Sequence, residues 1–262
     1  MHHFFVEPSE IVSGTVHITG ENYRHLRTVL RAELGEHILI SDGTGTDYVC
    51  ELTEITEGEL LLRICFRERM HELPAEIHLF QGLPKSDKLE LIVQKAVELG
   101  AFRIVPLRTQ NAVVRLDEKR AGAKVMRWQG IAEAAAKQSK RSIIPEVAAP
   151  MDFREAMELA ADFDCRMIPY ENAEGMTALL SVLRDLAQPW DSQRAGKKRI
   201  AVFIGPEGGF SRGEIEAALA HGVQPVSLGR RILRTETAAI TTLSLLMTAL
   251  ERSYEDGQRG IG

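Results

Sequence analysis

RIAVFIGPEGGFSRGEIEAAL, Arg199 to Leu219, joins an apolar run to a helix start through a loop dense in glycine. The run has the length and continuity of a buried strand. Ser211 and Glu214 form an S-x-x-E capping box, which fixes where the helix begins. Strand-to-helix loops of this kind are where α/β sheets bind ligands. A second one follows in SLGRRILRTETAAI, Ser227 to Ile240. Two such loops from one end of the chain can share a pocket, and function is expected there.

Outward from this stretch the same rhythm holds from Ala75. EIHLFQGL, FRIVPLR, CRMIPY and QPVSLG are short apolar strands. Helical patterns separate most of them, at Asp87–Leu99, Asp117–Gln138, Met151–Ala161, Gly175–Ala187, Ser211–His221 and Glu236–Tyr254. Alternating strand and helix predicts an α/β fold, a mainly parallel sheet flanked by helices on both faces. Gly100 and Gly222 stand where helix C-caps belong. PWDSQRAGKKR, Pro189 to Arg199, has the chemistry of a mobile surface loop. Residues 1–72 differ. HILIS (His37–Ser41), TDYVCELTEI (Thr46–Ile55) and ELLLRICF (Glu59–Phe66) read as strands after one helix, ENYRHLRTVLRA. A small β-barrel domain over 1–72 and a larger α/β domain over 75–254 are expected.

Composition sets bounds. With 44% hydrophobic and 26% charged residues in 262, a soluble chain with a real core is expected, in one or two domains. No apolar run reaches membrane-span length and no signal peptide is evident, so the expected location is cytoplasmic with no membrane partner. Cys50, Cys65 and Cys165 form no metal-ligand spacing, which predicts reduced thiols and no metal. A net charge of -5 argues against a protein that coats nucleic acid. That average hides a split, because the chain up to Leu73 carries 6 Lys+Arg against 13 Asp+Glu. The basic groups that matter are clustered elsewhere.

The loop GPEGGFS admits two readings. Gly205, Gly208 and Gly209 permit positive φ and close approach of a ligand. The plainer reading is a tight turn with no ligand. Neither the dinucleotide fingerprint nor the P-loop is matched, which weighs against a nucleotide-dependent hydrolase or dehydrogenase. Glu207 inside the loop would repel phosphate, so the expected ligand is neutral or cationic at the contact, as the sulfonium of S-adenosylmethionine is. Arg230, Arg231 and Arg234 precede a helix start, where cations are unfavourable. They are either a solvated loop compensated by Glu236 or a face for an anion such as RNA phosphate, and the two readings weigh about equally. The helix that follows is apolar on most faces, as a buried helix or subunit interface would be.

Three further basic groups carry competing readings. Lys137, Lys140 and Arg141, with Gln138 and Ser139, complement a helix C-terminus or contact RNA. Lys85, Lys88 and Lys95 read as a solvated face. Arg24, Arg27 and Arg31 recur at helical spacing in an otherwise acidic domain, which favours RNA contact.

Taken together, HLRTVLR, LPKSDKLELIVQKAVELG, TQNAVVR, EAAAKQSKR, IGPEGGFS and LGRRILRTETA resemble the RsmE family of 16S ribosomal RNA uridine-N3 methyltransferases, in the SPOUT superfamily. The last two motifs are specific in combination, and the pieces run nearly end to end. The resemblance implies a SPOUT-type knotted sheet, a PUA-like amino-terminal domain, a homodimer and bound S-adenosylmethionine. It places the cofactor on three loops. The first holds Ile168, Pro169, Tyr170 and Glu171. The second holds Ile204, Gly205, Pro206, Glu207, Gly208 and Gly209. The third holds Ser227, Leu228, Gly229, Ile232 and Leu233. RNA contacts would be Arg24, Arg27, Arg31, Lys85, Asn111, Gln138 and Arg141. One departure is Lys140, where the family commonly has glycine.

Methylating N3 of uridine requires loss of its proton and stabilisation of charge on O2 and O4. Arg234 suits the second task, and Glu236 is the nearest candidate base. The competing expectation is a non-catalytic RNA-binding or ribosome-assembly protein with a vestigial pocket.

Overall fold

Turn residues at Asp42–Gly45 and Glu57–Gly58 break the first part of the chain into strands whose apolar residues alternate. In the computed structural model, which describes residues 1–68, 72–114, 118–188 and 196–259, the chain divides into two units. The first comprises Met1–Glu72 and Ala136–Ile144; the second comprises Leu73–Ala135 and Pro145–Gly262.

The first unit holds β1 (His3–Phe5), β2 (Ile11–Val12), β3 (Thr15–Ile18), α1 (Gly20–Arg24), β4 (His37–Ser41), β5 (Asp47–Ile55) and β6 (Leu60–Glu68). Its sheet runs β1-β4-β5-β6-β3-β2, antiparallel except for the β1–β4 pair. One face is apolar at every second residue, with Val16, Ile18, Ile38, Ile40, Cys50, Leu52, Leu60 and Leu62 buried together. Burial pushes the Cys50 thiol up to about 12, with a smaller contribution from Cys65, so it packs as a small hydrophobe. The expected single helix is α1 followed by a π-helical turn, His25–Leu30, that ends on Arg31 with φ +55.

Ala136–Ile144 joins this unit through buried polar contacts. Arg141 is 3% exposed and donates from Nε and Nη2 to the two oxygens of Glu72, at 2.9 and 2.6 Å. The Ser142 hydroxyl donates to Asp47 at 2.6 Å. Lys140 adopts φ +58 and closes a helix end, with Arg141 N–H donating to Ala136 O at 2.9 Å. That is a Schellman cap, whose left-handed position glycine fills best. The departure at Lys140 is thus a side chain in a glycine conformation.

The second unit holds β7 (Ala75–Gly82), α2 (Lys88–Glu98), β8 (Ala101–Arg108), α3 (Glu118–Ser139, whose last turn belongs to the first unit), β9 (Glu146–Val147), β10 (Met151–Asp152), α4 (Phe153–Leu159), β11 (Cys165–Pro169), α5 (Thr177–Leu186), β12 (Lys198–Ile204), α6 (Arg212–Ala220), β13 (Gln224–Val226) and α7 (Thr235–Arg259). Every strand pair is parallel, in the order β10-β8-β7-β12-β11-β13 with β9 beside β8. The central strands are apolar throughout because helices cover both faces. Phe80 and Phe203 stack across β7 and β12 with ring centroids 4.6 Å apart. Gly100 and Gly222 are left-handed, as C-caps require. Of the expected surface loop, residues 189–195 lie outside the described residues, as do Asp117 at the start of one predicted helix and Arg115 in TQNAVVR.

Candidate functional site

β12 ends at Ile204, and the chain then turns sharply through Gly205–Gly209, where three glycines relieve the crowding. A Cβ on Gly205 would lie 3.1 Å from Gly209 Cα, and one on Gly208 would lie 3.2 Å from both Cβ and O of Asn111. Of the three glycines that permit positive φ, only Gly209 adopts it, at +64. At the other two, an added Cβ would be crowded, and its neighbours would have to give by a few tenths of an ångström. A hydrogen bond from Gly209 N–H to Pro206 O, 2.9 Å, closes the turn. The Ser211 hydroxyl accepts from Glu214 N–H, and the Glu214 carboxylate accepts from Ser211 N–H at 2.7 Å and from Gln110 N–H at 2.8 Å. The capping box therefore also fixes the loop after β8.

Three distant segments meet beneath the turn. Thr235, 5% exposed at the start of α7, donates its hydroxyl proton to Gly205 O at 2.6 Å. The Thr235 hydroxyl oxygen in turn accepts from Gln81 Nε2 at 2.9 Å, and Gln81 Nε2 also donates to Gly82 O at 2.9 Å.

The charge on Glu207 is already balanced. Its carboxylate accepts from Lys85 N–H at 3.1 and 3.2 Å and from Lys88 Nζ at 2.9 Å. Burial pushes the Glu207 carboxyl up, but the Lys88 ammonium and these backbone donors outweigh it and hold the group below its ordinary value. Lys88 is raised, chiefly by its hydrogen bond to Glu207. Lys88 Nζ also lies 3.5 Å from Glu236 Oε2. The sequence argument that Glu207 alone sets the sign of the site is corrected by this pairing.

A cavity of about 350 Å³ opens at the carboxyl ends of β11 and β12. Its walls include Pro169, Tyr170, Glu171, Ile204, Gly205, Pro206, Glu207 and Gly209 from two of the expected loops, and Ile232 and Leu233 from the third. A recess of about 100 Å³ shares Tyr170, Glu171, Ile232 and Leu233 and adds Ser227, Leu228, Gly229 and Arg231. Ile168 is wholly buried in the sheet core, and Gly208 packs on Asn111; neither lines these spaces. Arg234 lines the larger cavity and is exposed. Glu236 does not line it; it sits in the first turn of α7, where a carboxylate complements the helix dipole, beside Lys88. Lys88, Phe210, Thr235 and Ala238 also line the cavity, and the sequence reading missed them as site residues. The TETA stretch, Thr235–Ala238, directly after the arginines was the available signal for Thr235 and Ala238.

The expected RNA contacts separate in the same way. Arg24, Arg27, Arg31 and Gln138 are exposed on the first unit, although Arg31 stands on the left-handed cap rather than in a helical stripe. Lys85 is exposed on the second unit. Asn111 donates from Nδ2 to Gly208 O at 3.0 Å, so it supports the glycine turn. Arg141 is buried on Glu72, which gives it a structural role in place of the expected contact. Among the described residues no group of three His, Cys, Asp or Glu side chains could hold a metal, and no helix is long and apolar enough to cross a membrane.

Residues 71–247 match the family model of an RNA methyltransferase domain, and residues 18–65 match that of an RNA methyltransferase PUA domain. The chain is 35% identical over 236 residues to ribosomal RNA small subunit methyltransferase E of Bacillus subtilis, covering 88% of this chain and 89% of the relative. It is similar in structure to a ribosomal RNA small subunit methyltransferase E from Neisseria gonorrhoeae bound to S-adenosyl methionine, with TM-score 0.75, 30% identity, and 95% and 97% of the two chains covered. A methyltransferase from Legionella pneumophila in complex with the same cofactor matches with TM-score 0.75 and 31% identity, over 94% of this chain and 97% of that one.

Proposed function

The chain belongs to the ribosomal RNA small subunit methyltransferase E family, and from that premise we propose that it methylates N3 of a uridine in 16S ribosomal RNA, with the cavity at the ends of β11 and β12 as the cofactor site. It is an S-adenosylmethionine-dependent methyltransferase of small-subunit ribosomal RNA. The non-catalytic alternative is not favoured, since the relatives are methyltransferases by name and two similar structures hold the cofactor.

The residues present fit that cofactor. Glu171 brings a carboxylate to the wall, and a Cβ on Gly209 would come within 3.8 Å of its Oε2, so glycine there keeps the space beside it open. Ile204, Leu233 and Ala238 supply apolar surface in the same cavity. When bound, S-adenosylmethionine supplies an electrophilic methyl group on a cationic sulfur. Arg234, permanently cationic on the cavity wall, would stabilise the negative charge that forms on the pyrimidine oxygens. Glu236 acts through Lys88 rather than on the base: the Lys88–Glu207–Glu236 cluster holds the loop that forms the wall. Arg24, Arg27, Arg31, Gln138 and Lys85, all exposed, would position RNA through its phosphates.

The family resemblance further supports a knotted backbone, cytoplasmic location and a homodimer. A groove of about 360 Å³ on α5 and α7, lined by Leu183, Leu245 and Ala249, is consistent with a dimer contact on α7. The observation that carries the proposal is the glycine-walled cavity, built from the loops that the family motifs mark. Incubation with labelled S-adenosylmethionine and small ribosomal subunits, followed by nucleoside mass spectrometry, tests it. N3-methyluridine is expected; a methyl group on another atom would refute the N3 assignment, and no transfer would refute the activity.

A further inference from the structure

We infer that the Thr235 hydroxyl is a pin that fixes the glycine turn after β12 against the start of α7 in the lining of the cofactor cavity, making Thr235 and Gln81 positioning residues for cofactor binding. The inference rests on the cofactor reading of the cavity given above.

Hydrogen counting determines the orientation of the pin. Gly205 O and Gly82 O can only accept. Thr235 has one proton, which goes to Gly205 O at 2.6 Å, so its oxygen must accept from Gln81 at 2.9 Å. Gln81 must therefore present its amide nitrogen, whose second proton goes to Gly82 O at 2.9 Å. Rotating the amide by a half-turn would set its oxygen against two carbonyls. No other arrangement of these protons satisfies all four groups.

The pin joins two separate elements of the lining. Gly205 belongs to the turn after β12 and Thr235 to the first residue of α7, and both line the cavity. Gln81 at the end of β7 holds the pair from the central strand of the sheet. Stability alone does not account for this chemistry. Gln81 is fully buried and its Oε1 has no hydrogen-bond partner, a cost that an apolar side chain would avoid. A hydroxyl fixed to a carbonyl by a short directional bond holds these two lining segments in one relative position, which packing among aliphatic groups does less sharply.

The test is isothermal titration of the intact protein with S-adenosylmethionine, alongside steady-state methylation of small ribosomal subunits. Thr235→Val removes the hydroxyl at nearly constant shape and is expected to weaken cofactor binding by about 10- to 100-fold. Thr235→Ser, which restores the hydroxyl, should return the affinity to within about 3-fold of wild type. The cofactor KM should rise while the KM for subunits stays constant, a split that a general loss of fold would not give. Gln81→Met is the second variant if Thr235→Val does not fold; it leaves Thr235 bonded to Gly205 and should weaken binding by less, about 3- to 10-fold. Wild-type affinity in Thr235→Val or in Gln81→Met, or no recovery in Thr235→Ser, overturns the pin alone. A wild-type protein that ignores S-adenosylmethionine overturns the functional reading and the pin with it.

Discussion

Gly82→Ala should damage the cofactor site without altering any residue that lines it. Gly82 ends β7, and the chain leaving β12 crosses directly over it. A Cβ at this position would lie 2.5 Å from Pro206 Cδ and 2.6 Å from Pro206 N, with Gly205 C at 3.1 Å. Ordinary contact begins near 3.4 Å, so the Gly205–Pro206 segment must retreat by roughly 0.9 Å. The obstacle is backbone and a proline ring, which no rotamer change relieves. Overpacking of this kind costs about 1–3 kcal/mol of stability. A wall displaced by about 1 Å should cost on the order of 100-fold in kcat/KM for the cofactor. The assay is steady-state methylation of small ribosomal subunits at varied S-adenosylmethionine, with calorimetric titration of the cofactor and thermal unfolding. Gly213→Ala is the control, on α6, where an added Cβ meets nothing within 4 Å. If Gly82→Ala binds the cofactor as wild type does, with unchanged Tm, the close approach of these two segments does not define the site and the reasoning fails.

Burial, with Arg103 and Arg199 nearby, lowers the His78 imidazole from 6.5 to about 4, so the folded protein holds it neutral where the unfolded chain protonates it. Stability is therefore complete above pH 6.5 and should decline by up to about 3 kcal/mol as the pH falls to about 4; urea titrations of wild type and His78→Leu should diverge across that window. Lys140→Gly should raise stability by about 1 kcal/mol, because glycine accepts the left-handed cap that lysine is forced into; a lower Tm would contradict this. Arg141→Ala, which removes the buried guanidinium from the half-buried Glu72 carboxylate, should cost about 3 kcal/mol in denaturant titration, whereas Gln138→Ala, exposed on the preceding turn, should leave stability unchanged and weaken RNA binding.

What the sequence made legible was local. The β12 run, the Ser211–Glu214 box and the glycine caps at Gly100 and Gly222 encode their conformations within a few residues, and the structure bears them out. The glycine loop was readable as a tight turn for the same reason, and it lines the cavity. Pairings over long separations were not legible. Gln81 and Thr235 stand 154 residues apart, and no spacing rule joins a glutamine at a strand end to a threonine at a helix start. Glu207 looked like a bare charge because Lys88, its counter-ion, comes from another element. Arg141 looked like an RNA ligand because a surface cation and a buried one have the same sequence signature until Glu72 is placed beside it. Lys140 was a visible anomaly, and its cause is backbone geometry.

The position of β12 between β7 and β11 bears on how the molecule is made. β7 leaves the synthesising ribosome early, yet the neighbour it pairs with from Ala75 to Gln81 arrives about 120 residues later. Until then one flank of the central strand has no mate and must stay free of wrong ones. The cavity at the ends of β11 and β12 is therefore among the last features to exist in a newborn chain, and a prematurely released fragment ending before β12 would carry an exposed, unpaired edge on β7.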